Sequence, residues 1–169
     1  PTGALSQSVG ITQGAVFRHF ANKEAVWLAV LDWVTDLLLA RLKAAADAEL
    51  TSTQMTAPLA ALQAVFLAHV DFVVTYPGVP RVIFQELQQG QHTALKASVR
   101  SLLQQYRELL MHLLRRAQTE QLLAPNTDLQ AAALLFIGSV QGLVMQSLLR
   151  GEIAVMTKQA PSVFALYRR

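Results

Sequence analysis

SVGITQGAVFRHFANKEA, residues 8–25, holds the end of one short helical pattern, the whole of a second and the start of a third. Leu5 and Val9 give the first piece, from Thr2 to Val9, its apolar positions. Gly10 then supplies the freedom for a sharp turn, and Thr12 is a suitable N-cap for a helix from Gln13 to about Phe20. Two helices joined by a short glycine-containing turn form a helix-turn-helix pattern, whose second helix enters the DNA major groove. Val16 and Phe20, four residues apart, would anchor that helix to the body and leave Gln13, Gly14, Phe17 and Arg18 on or near the outer side. Gln13 has the chemistry to read adenine, Arg18 to meet guanine or phosphate, and Phe17 to pack on a thymine methyl or the backbone edge. Lys23, one residue after the cap Asn22, is placed for a phosphate contact beside the amides of a helix N-terminus. The same spacing also fits a plain helical hairpin with Arg18 and Lys23 solvated and Phe17 in its core.

The rest of the chain is periodic at three and four residues, and no alternation of period two is sustained, so the fold class expected is all-α. From Asn22 a long helix carries Trp27, Val30, Leu31, Val34 and Leu38 on one side and fades near Leu50. A second begins around Pro58, with Leu62, Phe66, His69 and Val73, and stops at Tyr76-Pro77-Gly78. A shorter helix spans about Val79 to Gln89, and a long one about Thr93 to Gln121. Pro125-Asn126-Thr127-Asp128 caps an apolar helix over 129–149, ended by Gly151, and a last helix is expected from Ala160 to Arg169.

Composition narrows the function. The chain has 169 residues, of which 53% are hydrophobic and only 15% charged, more apolar than usual, which points to an oligomer. There is no cysteine, so disulfides and thiolate metal sites are excluded and a reducing cytoplasm is the expected location. The net charge is +3, yet residues 1–34 balance Arg18 and Lys23 against Glu24 and Asp32. Bulk charge therefore does not single out a nucleic-acid binder. The uncharged run from Leu129 to Leu149 has the length of a membrane span, but Gln130, Gln141 and Gln146 are costly in hydrocarbon, and a helix buried between others is expected instead. His19, His69, His92 and His112 have no metal-ligand spacing, and no nucleophile-base pair or phosphate loop is present. Neither an enzyme nor a cofactor or metal site is expected.

The segment from Leu5 to Phe20, followed by Asn22-Lys23-Glu24-Ala25, closely resembles the DNA-binding head of the TetR family of bacterial transcription regulators. The resemblance implies that Thr2 and Lys23 contact phosphates and that Gln13, Gly14, Ala15, Phe17, Arg18 and His19 lie against the groove. Phe17 stands where the family usually has Tyr, which removes a hydroxyl able to bond a phosphate. The family's head has three helices before the connector, whereas this sequence starts inside what resembles the second, so a truncated front is expected. The resemblance further implies a head over 1–34 and an effector-binding and dimerisation body over 35–169. In the body, Phe66, His69, Val73, Phe84, Tyr106, Leu110 and Phe136 are candidate walls of an apolar effector cavity, with His69 and Tyr106 as polar handles. A drug-like, aromatic or acyl molecule would suit it. Gly138, Val140, Gly142, Val144 and Leu148, with Phe164, are candidates for a homodimer interface. The function expected is a ligand-responsive repressor on a palindromic operator; the alternatives are a helical scaffold or a small-molecule carrier without DNA binding.

Overall fold

The computed structural model describes residues 20–52, 54–88, 90 and 93–168, the side chain of Lys23 excepted. Six helices make up the described residues: α1 (Lys23–Leu50), α2 (Ala57–Thr75), α3 (Gly78–Leu87), α4 (Ala94–Thr119), α5 (Leu129–Arg150) and α6 (Val155–Tyr167). Local chemistry sets most of their ends. Asn22 Oδ1 accepts the Ala25 N–H at 2.8 Å and starts α1. Thr93 caps α4 through the Lys96 N–H, and Asp128 caps α5 by accepting from Gln130 and Ala131. At the far end of α5, Gly151 adopts φ 75°, and the Gly151 and Glu152 amides donate back to Leu148 and Ser147.

The same paired bonds close α4, where the Gln121 and Leu122 amides donate to Gln118 and Ala117, but here the left-handed residue is Gln121 at φ 58°. A side chain in that region is strained, and glycine relieves the strain. Gln121→Gly is expected to raise stability by about 0.5–1 kcal/mol in a urea titration.

One apolar centre joins α2, α4, α5 and α6. Phe136 on α5 is fully buried with its ring edge-on to Phe66 at 5.3 Å, to Tyr106 at 6.2 Å, to Phe164 at 6.3 Å and to Tyr167 at 5.5 Å. The Tyr167 hydroxyl donates to the Ala132 carbonyl at 3.1 Å, tying the end of α6 to α5. Partial burial of that phenol pushes its pKa up to about 12. Helix α1 lies along α2 and α4 and contributes Leu38, Leu39, Leu42 and Ala46 to the core. It runs unbroken from Lys23 past residue 34.

The last helix departs from the expected span. It begins at Val155, five residues before Ala160, and holds Pro161 inside it. Proline removes one backbone donor there. Met156, Ala160 and Phe164, spaced by four and all buried, supply enough packing to keep the helix continuous through it.

Candidate effector cavity and the outer face of α5

Two adjoining apolar cavities lie between α1, α3 and α4. The larger, about 600 Å³, is lined by Trp27, Val30, Leu31 and Val34 of α1, by the Thr75–Gly78 turn, by Val79, Val82, Ile83 and Glu86 of α3, and by Leu95 and Val99 of α4. The smaller, about 100 Å³, extends toward α2 and α5 and includes His69, Phe72, Val73, Phe84, Tyr106 and Gln141. Val34, Val79, Ile83 and Val99 line both. Short α3 thus forms a shared wall, held by an inward apolar face and one buried proline, Pro80. Its Glu86 carboxylate accepts the Thr93 hydroxyl, which fastens the end of α3 to the start of α4.

Of the expected wall residues, His69, Val73, Phe84 and Tyr106 line the smaller cavity. Phe66, Leu110 and Phe136 do not line either cavity; each is fully buried in the core behind them. Periodicity marks the inward stripe of a helix, and a stripe looks the same whether it meets another side chain or a void. The residues missed were Trp27, Tyr76, Ile83, Glu86 and Val99. The Tyr76-Pro77-Gly78 break was their one signal, since it turns α3 across the mouth left between α1 and α4.

His69 Nδ1 and the Tyr106 hydroxyl are 3.1 Å apart. Burial without a nearby charge lowers the His69 pKa from 6.5 to about 4 and moves that of Tyr106 upward, burial acting first and the Tyr167 phenol second, so both are neutral at pH 7. An unfolded chain takes up the histidine proton near pH 6.5, whereas the folded chain resists it down to about pH 4. Stability is therefore full above pH 6.5 and falls as pH drops to 4, by up to about 3 kcal/mol from this group. Urea titrations from pH 7 to 4 check this, and His69→Leu is expected to flatten the profile over that window.

Helix α5 has two different faces. Val140 and Val144 turn inward with Phe136, and Phe164 of α6 meets them, all buried in the chain's own core. They are thus core residues, not the interface expected of them, because the inward side of α5 already belongs to α2, α4 and α6. Leu148 is half-buried against the same core. Gly138 and Gly142 are exposed, and an added Cβ at either would meet nothing of this chain within 4 Å. Around them Leu134, Leu135, Met145 and Leu149 are 64%, 59%, 42% and 81% exposed, joined by Leu166 of α6 at 68%. Ser139, at the edge of this side, bonds its hydroxyl back to the Leu135 carbonyl at 2.7 Å, whereas Gln141 and Gln146 are exposed beside the apolar residues. Both α2 and α5 are long and apolar enough to cross a membrane. Four helices pack round α2 and bury 50% of its apolar window, against 39% for α5.

Among the expected DNA contacts, Thr2, Gln13, Gly14, Ala15, Phe17, Arg18 and His19 lie outside the described residues, and Lys23 is the first residue of α1. Among the described residues no three His, Asp or Glu side chains gather as a metal site.

The described residues thus form an all-helical body with a long first helix, an apolar cavity beneath α3 and a partly uncovered apolar helix, α5. The family described as Tetracyclin repressor-like, C-terminal domain, matches residues 84–162. The nucleoid occlusion factor SlmA of Idiomarina loihiensis is 26% identical over 121 residues, covering 71% of this chain and 59% of that protein. SlmA of Shewanella denitrificans is 26% identical over 162 residues, 96% of this chain and 77% of that protein. Among solved structures, the regulator FadR of Bacillus subtilis, in complex with stearoyl-CoA, superposes with a TM-score of 0.79 at 16% identity, over 99% of this chain and 86% of that one. The TetR-family regulator PfmR of Thermus thermophilus gives 0.67 at 19% identity, over 98% of this chain and 87% of that one. Residues 84–162 are thus similar in sequence to the C-terminal domain of TetR-type repressors, and the fold as a whole is that of the solved TetR-like regulators.

Proposed function

We propose that this chain is a ligand-responsive repressor, cytoplasmic and homodimeric, that binds a palindromic operator through residues 1–34 and an apolar effector through residues 35–169. One observation carries the reading: Trp27, Val30, Leu31 and Val34, which wall the larger cavity, belong to the helix that continues from the helix-turn-helix sequence. An occupant of the cavity acts directly on the element that carries the head. Two heads related by a twofold axis read half-sites about 34 Å apart or a further turn away. A ligand that fits better when α1 is displaced shifts the population toward heads at the wrong spacing and releases the DNA. The stearoyl-CoA bound by the B. subtilis FadR supports an acyl or similarly aliphatic effector, given the apolar walls here. The dimer is supported by the outer face of α5, where two glycines serve no packing need of their own chain.

The relatives named nucleoid occlusion factor support a second reading, a DNA-bound dimer that acts on something other than transcription. Selection of bound sequences from random DNA, followed by titration of the selected duplex with and without acyl compounds, separates the two. A salt-dependent, sequence-specific affinity that an acyl compound weakens supports the repressor. Gln13→Ala with Arg18→Ala is expected to abolish specific binding and leave the dimer intact; unchanged polarisation titrations would overturn the groove assignment.

A further inference from the structure

We propose that the effector is an uncharged, carbonyl-bearing apolar molecule, an ester, thioester or ketone, whose oxygen accepts a hydrogen bond from His69 Nε2. The inference rests on the effector reading of the cavities and adds the chemistry of the group they select.

The Tyr106 hydroxyl proton has one place to go. Tyr106 is 1% exposed, and among the described residues its hydroxyl has a single partner, His69 Nδ1. A buried hydroxyl needs an acceptor, and no buried polar side-chain atom among the described residues is left unpaired. The phenol therefore donates to Nδ1. That bond fixes the tautomer and puts the imidazole hydrogen on Nε2. Nε2 has no protein partner among the described residues, and it is not enclosed, since an enclosed unpaired nitrogen would stand as an unsatisfied group. His69 lines the smaller cavity, where the proposed carbonyl meets the free donor.

The walls decide the charge of what it meets. Among the described residues neither cavity has a Lys or Arg in its lining, and the one charged wall residue is Glu86, an anion already accepting from Thr93. A carboxylate or phosphate drawn inside would lose its hydration without gaining a counter-charge, and the ring beside it stays neutral at pH 7 because burial holds its pKa near 4. A carbonyl oxygen satisfies the donor at no such cost. The apolar remainder of the molecule has the larger cavity, about 600 Å³, on the other side of the shared wall.

Methyl octanoate, octanoate and nonane test this at pH 7 with the intact protein, followed by the fluorescence of Trp27, which lines the larger cavity. Methyl octanoate is expected to bind about fivefold more tightly than nonane, the worth of one neutral hydrogen bond, and at least about tenfold more tightly than octanoate. His69→Phe is expected to remove the preference for ester over alkane while nonane still binds, and His69→Gln, which keeps a donor, to retain part of it. In the wild type, nitrogen-15 spectra are expected to show the Nε2–H tautomer, with the Nε2 proton shifting when methyl octanoate is added; this needs no variant to fold. Equal affinity for ester and alkane, tighter binding of octanoate, an ester preference that survives in His69→Phe, or the opposite tautomer would each overturn the proposal. If none of the three probes binds, the effector reading itself fails, and the proposal with it.

Discussion

Phe136→Ala is expected to lower the free energy of unfolding by about 3–5 kcal/mol, the range for removing a fully buried aromatic ring. The size follows from position. The ring has no exposed surface and meets four other aromatic rings, one each on α2 and α4 and two on α6, so truncation opens a void that rigid neighbours cannot collapse to fill. Urea unfolding followed by far-ultraviolet circular dichroism measures it, with Leu134→Ala as control. Leu134 is two residues away on the same helix but 64% exposed, and its loss is expected to change stability by less than about 0.5 kcal/mol in the separated protomer. A cost below about 1 kcal/mol at Phe136 would mean that the four helices do not share this centre.

Leu135→Glu combined with Leu149→Glu is expected to weaken self-association by about a thousandfold or more, and operator affinity with it. A twofold interface presents each residue twice, so two substitutions place four carboxylates in a contact built on apolar side chains. Sedimentation velocity over a concentration series reads the dimer, and Arg107→Glu, on an exposed position of α4, is the charge-matched control expected to leave it unchanged. A finer test uses Gly138→Leu. No atom of the chain lies within 4 Å of the added Cβ, so the protomer loses nothing and its helix gains about 1 kcal/mol of propensity. The dimer, if it brings another helix against that position, weakens. Stronger protomer with weaker dimer is the expected pair of results, and a dimer untouched by both sets of substitutions would assign the outer face of α5 to another partner.

The helices were legible in the sequence because their ends are written in side-chain chemistry. Asn22, Asp128 and Gly151 each act where a cap was expected, and Tyr76-Pro77-Gly78 breaks the chain as it should. The start of α6 was not legible, because Pro161 advertises a helix beginning and the Met156-Ala160-Phe164 packing that overrides it is tertiary. On α5 the sequence is apolar on every side, and no periodicity can tell which side meets the core. Val140 and Val144, expected at a homodimer interface, lie inward, while Leu134, Leu135, Met145 and Leu149 are the ones left uncovered. For the cavity, the polar pair His69 and Tyr106 was legible as an oddity on apolar stripes. Its outer walls were not, because Trp27, Ile83 and Val99 look like any other core residue until α3 is seen lying across them.

The unbroken length of α1 has a mechanical consequence. Its deepest anchor, Leu42, is fully buried, and Lys23 lies nineteen residues ahead of it, about 28 Å at about 1.5 Å per residue. Pressure from the cavity falls between these points, at Trp27 to Val34. On the proposed reading the helix is an arm with its fulcrum in the core and the DNA-binding residues ahead of its N-terminal end. A tilt of about 5° about Leu42 carries Lys23 through about 2.5 Å, so a displacement no larger than a side chain's rearrangement at Val34 is magnified at the start of the helix.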